Sequence, residues 1–214
     1  MLSALSLALL GFLLGVRHAV DPDHVVAIGT IATRTPSVRR AAGAGALWGV
    51  GHTITILVVG GAIVLLRVAI SPRVGLAMEF AVALMLILLG ILNLLSARRT
   101  EAPAPSAARP LLVGMVHGLA GSAAVALLVL AVVPSPAWAL GYLGLFGVGT
   151  ILGMALVTVL IAFPASLAVT RMATARRWLT AASGVVSVVF GVLLAYATGG
   201  PDGLFSAEPT WDPR

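Results

Sequence analysis

Apolar residues run along this chain in stretches too long for a soluble fold. Six such stretches are bounded by short polar segments, at roughly 2–32, 41–66, 75–95, 111–133, 138–165 and 178–198. A membrane-crossing helix needs about 20 mostly apolar residues, so each stretch predicts one span. The pattern therefore predicts an all-α integral membrane protein with six transmembrane helices, forming one transmembrane domain over 1–214. The closing stretch, "GGPDGLFSAEPTWDPR" at 199–214, reads as an unstructured tail. The first run has neither a basic start nor a small-residue cleavage site, so it reads as a retained span rather than a signal peptide.

Composition sharpens this picture. The chain is 60% hydrophobic and 9% charged, where a soluble domain carries about 25% charge. It has no cysteine, which excludes disulfides, thiolate metal sites and cysteine nucleophiles. The pI of 11.5 would suit a nucleic-acid partner, but the placement of the arginines gives another reason for it. Arg34, Arg39 and Arg40 share one loop. Arg98, Arg99 and Arg109 fall in the next loop but one, and Arg171, Arg176 and Arg177 in the next but one again. Alternate loops lie on one side of the membrane, and positive charge marks the cytoplasmic side. The expectation is a multi-pass cell-membrane protein with both termini outside the cytoplasm and no nucleic-acid partner.

The two halves resemble each other. "GVRHAVDPDHVVA" (15–27) aligns with "GMVHGLAGSAAVA" (114–126), "WGVGHT" (48–53) with "FGVGT" (146–150), and "LLGIL" (88–92) with "VFGVL" (189–193). Each half holds three spans, so the second enters the membrane from the opposite face. The expected plan is two inverted three-helix repeats, at about 1–97 and 111–198, joined by a cytoplasmic loop at 98–110. Transporters built this way place their site near midmembrane on interrupted helices. Small-xxx-small patterns such as "GFLLG", "GALWG", "GMVHG" and "GTILG" suit close helix packing.

One segment breaks the apolar pattern. "RHAVDPDH", residues 17–24, sets an arginine, two aspartates and two histidines inside the first span. All four histidines of the chain (His18, His24, His52 and His117) fall within spans. Ionisable residues in lipid are costly and are functional candidates by default. A straight helix turns about 100° per residue and cannot bring His18, Asp21, Asp23 and His24 onto one face. Asp21-Pro22 is a strong helix start, with Asp as N-cap and Pro at the first helical position. The first helix is therefore expected to break near Asp21-Pro22, letting His18 converge with Asp23 and His24. At about 1.5 Å rise per residue, His18, His52 and His117 reach the same half of the membrane.

Imidazole and carboxylate donors without thiolate suit nickel, cobalt, zinc or copper. The candidate metal ligands are His18, Asp23, His24, His52 and His117. Asp21 is expected to cap the second half-helix, and Arg17 to anchor the carboxylates or repel cations from a wrong path. Thr53, Ser122 and Thr150 read as packing groups or supports for a ligand. Glu79 and Asn93 either orient a ligand histidine or bond a neighbouring helix.

"RHAVDPDHVVAI", with its His18-x4-Asp23-His24 spacing, together with "GVGHTITIL" around His52, resembles the nickel/cobalt permease superfamily. "GMVHGLAGSAAVALL" and "FGVGTILGMALVT" look like its smaller urease- and hydrogenase-accessory branch. The larger permeases have eight spans and an acidic residue in a later helix; here "FGVGTILG" has none. The resemblance implies a secondary permease for Ni²⁺ or Co²⁺, with no resident cofactor and no enzymatic activity. The absence of a Walker A stretch excludes self-driven ATP use, and leaves room for a homo-oligomer or a larger transport complex. Two other readings compete with it. An intramembrane hydrolase would pair Ser122 with His117 or His52, but neither His-Glu-x-x-His nor Gly-x-Ser-x-Gly is present. A haem carrier would use His52 and His117 as axial ligands, and would leave Asp21 and Asp23 without a role.

Overall fold

The computed structural model describes residues 4–35, 37–67, 70–97, 108–132, 135–171, 173–201 and 203–211, without the side chains of 4, 121–132, 167–171, 173 and 176. The described residues form α1 (Ala4–His18), α2 (Pro22–Ala32), α3 (Val38–Thr55), a π-helical turn (Ile56–Gly60), α4 (Gly61–Leu66), α5 (Pro72–Ala97), α6 (Ala108–Val132), α7 (Pro136–Arg171) and α8 (Ala173–Gly199). No strand occurs among them.

Four helical rods are long and apolar enough to cross a membrane: Val38–Leu66, Pro72–Ala97, Pro136–Ser166 and Arg177–Gly199. The bent pair α1 and α2 makes a fifth if counted as one span. The fourth expected span lies on α6, a helix of 25 residues. The protein is thus an all-helical, multi-pass membrane protein.

The first span breaks where the sequence places Pro22. A proline inside a helix clashes with the carbonyl four residues back, which here is His18, and α1 ends at His18. The chain turns tightly, with Val20 N donating to Arg17 O (3.0 Å) and Asp21 N to His18 O (3.1 Å). α2 then starts with Pro22 in its first turn, bent 58° from α1. Elsewhere Ser37 caps α3, its hydroxyl accepting from Arg40 N. Arg67, in the left-handed region at φ 52°, ends α4.

α1 packs on α7, α3 on α6 and α7, and α5 along α8. Glycines permit these approaches, and their contacts recur in pairs. A Cβ on Gly15 would strike the Phe146 carbonyl, and one on Gly114 the Trp48 carbonyl. A Cβ on Gly149 would strike the Phe12 carbonyl, and one on Gly51 the Leu111 carbonyl. The partners in these two sets stand 98 or 99 residues apart along the chain: Gly15 and Gly114, Phe12 and Leu111, Trp48 and Phe146, Gly51 and Gly149. Between α5 and α8, a Cβ on Gly90 would meet the Gly184 carbonyl at 2.6 Å, and one on Gly191 that of Ala83 at 2.8 Å. The main core surrounds the break and includes Ala19, Ala27, Ile28, Trp48, Leu86 and Met154.

The closing segment departs from expectation. Its described residues, 203–211, fold back rather than trail as an unstructured tail. Leu204 N donates to Thr198 O (3.0 Å), Arg73 Nη2 to Ser206 O (2.9 Å) and Trp211 Nε1 to Glu79 Oε1 (2.9 Å). Phe205 meets Phe80 edge to face at 5.6 Å. Two aromatic side chains give this short polar segment enough apolar area to dock. Of the expected 98–110 loop, residues 98–107 lie outside the described part.

Candidate metal centre

The break does what the spacing predicts: it turns His18, at the end of α1, toward the first turn of α2. The His18 and His24 rings stand 4.5 Å apart between centroids. α3 brings His52 to 5.1 Å from both. α6 brings His117 to 4.1 Å from His24 and 6.0 Å from His52. All four histidines meet in one cluster, and His24, His52 and His117 are 1% exposed or less.

Two carboxylates organise these rings. His18 Nδ1 donates to Asp21 Oδ2 at 2.7 Å. Asp23 accepts twice, from His24 Nδ1 at 3.0 Å on Oδ1 and from His117 Nε2 at 2.8 Å on Oδ2. A carboxylate only accepts, so the ring nitrogens facing it carry the hydrogens. In a neutral ring the opposite nitrogen then carries a lone pair. His24 Nε2, His52 Nδ1, His117 Nδ1 and the Trp48 Nε1 donor are all buried, with no hydrogen-bond partner among the described residues. Leaving buried polar atoms unpaired is costly, and three of these four atoms are ring nitrogens of the cluster.

His18 Nε2 and His52 Nε2 face each other at 3.1 Å. Donors bound at about 2.0–2.1 Å to one ion, at right-angled to tetrahedral geometry, lie about 2.9–3.4 Å apart. The described donors form two groups of three, His18/His24/His52 and Asp23/His24/His117, each within 4.8 Å internally.

The remaining candidates divide. Arg17 is exposed and makes no ion pair with Asp21 or Asp23 among the described residues, which corrects its expected anchoring role. One residue along a helix is a turn of about 100°, which takes Arg17 off the face His18 occupies. Asp21 stands at the N-cap of α2 but makes no capping bond with its side chain; its carboxylate is taken by His18. Thr53 Oγ1 donates to Gly147 O (3.1 Å), and Thr150 Oγ1 to Phe146 O (2.9 Å) and Gly15 O (3.3 Å), so both tie helices together. Glu79 accepts from Trp211. Asn93 Nδ2 donates to Ser183 Oγ (2.9 Å) on α8, and its Oδ1 accepts from Arg34 Nη1 (3.5 Å). Neither Glu79 nor Asn93 bonds a cluster histidine among the contacts described. The Ser122 side chain lies outside the described residues.

Sequence reasoning passed over the aromatic walls. Trp48 stacks on His24 at 6.0 Å and 13° and meets His117 edge-on at 5.5 Å; Phe146 stands 5.4 Å from His18. The available signals were the match of "WGVG" to "FGVG" and the i, i+4 spacing of Trp48 and His52, which puts both on one helix face. The cluster also counts against a haem between His52 and His117, because the His24 ring occupies the space beside both.

A family model described as NicO, high-affinity nickel-transport protein, matches residues 4–101. The urease accessory protein UreH of Bacillus sp. (strain TB-90) is 36% identical over 218 residues, covering 94% of this chain and 95% of that one. No solved structure matches the chain. The first description names a transporter and the second an accessory protein, and neither names an enzyme. With a match that runs nearly end to end, the chain belongs to the nickel permease superfamily, in its urease-accessory branch.

Proposed function

We propose that the protein is a secondary permease for Ni²⁺, with Co²⁺ as the nearest competing cargo, and that the cation is held by His18, Asp23, His24, His52 and His117. The observation that carries this reading is the cluster itself: four imidazoles and a carboxylate brought together by apolar helices, with three buried ring nitrogens unpartnered among the described residues. The family description and the relative's name support nickel as cargo. The cation sheds water for nitrogen and carboxylate donors, a set suited to borderline divalent metals. The 3.1 Å contact between His18 and His52 needs a hydrogen on one Nε2. A metal bound to both nitrogens displaces that hydrogen onto the unpartnered His52 Nδ1, so the ring binds as a neutral imidazole.

The scaffold reading is two inverted three-helix repeats in six spans, both termini outside. The paired glycine contacts between α1 and α7 and between α6 and α3 support it, as does the alternation of arginine-rich loops. Alternating access then rocks one repeat against the other around the cluster. The deciding experiment is uptake of labelled Ni²⁺, Co²⁺ and Zn²⁺ into proteoliposomes. Nickel should accumulate and be competed by cobalt more strongly than by zinc. Equal, unsaturable entry of all three, or none above empty vesicles, removes the permease reading. Tags at either terminus should be reachable from outside intact cells.

A further inference from the structure

We propose that the cluster is not one coordination sphere but two overlapping positions that share His24, and that the cation passes from one to the other. The proposal rests on the reading of the protein as a metal permease. The first position is His18/His24/His52 and the second is Asp23/His24/His117.

Three observations carry it. The donors of each triad lie within 4.8 Å of one another, yet the five residues divide into two groups rather than one. His24 belongs to both groups and is placed to serve both. Its Nδ1 meets Asp23, the carboxylate of the second triad, at 3.0 Å, while its buried Nε2 has no partner among the described residues. One imidazole thus offers a nitrogen on each side. Finally, the unshared histidines come from different elements: His18 ends α1 and His52 rides on α3 in the first position, His117 rides on α6 in the second, and the His52 and His117 rings stand 6.0 Å apart.

Two divalent charges this close repel strongly away from bulk water, so one position is filled at a time. A cation moving between them passes from one nitrogen of the His24 ring to the other and exchanges its two other donors for two new ones. The shared ring stays beside the cation in both positions, which shortens its path between donors in a low-dielectric interior. The exchange also changes the donor set. The first position is all nitrogen and the second adds a carboxylate oxygen, so relative movement of α3 and α6 against α2 can favour one over the other without dismantling the cluster.

Co²⁺ titration of the purified full chain in detergent tests this, because the visible spectrum of bound Co²⁺ reports its donor set. The wild type should bind one Co²⁺ per chain. His52→Ala and His117→Ala should each still bind one, weakened by no more than about 100-fold. Their spectra should differ, all-nitrogen for His117→Ala and mixed nitrogen and oxygen for His52→Ala. His24→Ala should lose binding altogether. Both single-position variants should stop ⁶³Ni²⁺ uptake into proteoliposomes, since passage uses both positions. His117→Gln, which preserves side-chain volume, reads the same way if His117→Ala fails to give a monodisperse protein. The proposal is overturned if His52→Ala or a folded His117 variant loses Co²⁺ as completely as His24→Ala, which means one undivided site. It is equally overturned if a His117 variant transports at the wild-type rate. A wild-type protein that binds neither Co²⁺ nor Ni²⁺ fails at the earlier step and removes the metal-cargo reading itself.

Discussion

Gly15 lets α1 lie against the Phe146 carbonyl of α7, and Gly114 lets α6 lie against the Trp48 carbonyl of α3. The first and second halves are built on the same close contacts, yet they carry different things at the centre. The first half brings His18, Asp21, Asp23, His24 and His52, while the second brings His117. After Gly51 comes His52; after Gly149 comes Thr150, whose hydroxyl is spent on helix contacts. The first span breaks at Pro22, while α6 runs unbroken over Ala108–Val132. What recurs between the halves is therefore packing, and what does not recur is chemistry. Small residues at a helix crossing answer to backbone geometry, which both crossings must satisfy. The histidine and aspartate cluster answers to no such rule, and one cluster is enough for the proposed cargo.

The largest effect should come from breaking what the halves share. Gly15→Leu and Gly114→Leu each drive a side chain into a facing carbonyl, beyond the about 1–3 kcal/mol of ordinary overpacking. Neither variant should give a monodisperse peak on size exclusion. If one folds and the other does not, the two crossings are not equivalent and the comparison fails.

Next come the acids that only the first half contributes. Asp23 bonds two imidazoles and its side chain is 28% exposed, whereas Asp21 bonds one and is 45% exposed. Asp23→Asn, at a proposed donor, should cut Ni²⁺ affinity by more than about 100-fold, and Asp21→Asn, which only orients His18, by about 10-fold, within the span of about 10–100-fold seen for groups that orient metal ligands. Isothermal titration with Ni²⁺ reads both. The reverse ranking would place the cation at the outer, Asp21 side. Pro22→Ala removes the clash that ends α1, but Val20 and Asp21 keep their tight-turn bonds. A partial loss of uptake, about 10-fold, is expected, against full loss if proline alone holds the bend.

Much of this was legible in the chain. Long apolar runs give spans because lipid leaves the backbone no partner but itself, and Asp21-Pro22 gives the break because proline cannot continue a helix. The histidines were visible as a set because ionisable residues in lipid need a reason. How that set divides was not legible. Periodicity fixes the face of one helix, but which imidazole meets which carboxylate depends on how α6 crosses α3, and that crossing is decided by glycine contacts between distant residues. The same limit hid Asp21 bonding His18 instead of its own helix, the wall formed by Trp48, and Trp211 docking on Glu79.

The smallest effect tests whether the second half takes part in the site beyond His117. Thr53 and Thr150 each reach a carbonyl on another helix, Gly147 and Gly15 respectively. Interhelical hydrogen bonds in membrane proteins average about 0.6 kcal/mol, because the unfolded chain also finds partners in the bilayer. Thr53→Val and Thr150→Val keep the side-chain shape and remove the hydroxyl, so each should lower stability by about that amount. Thr150 keeps its backbone helical bonds and loses in addition only its local contact to Phe146. Neither hydroxyl bonds an imidazole, so Co²⁺ affinity should stay at the wild-type value while the unfolding midpoint falls slightly. Paired thermal-shift and Co²⁺ titrations separate the two readouts. A tenfold loss of Co²⁺ affinity in Thr150→Val alone would mean that the residue following Gly149 still supports the cation. The second half would then retain more of a ligand's role than its hydrogen bonds convey.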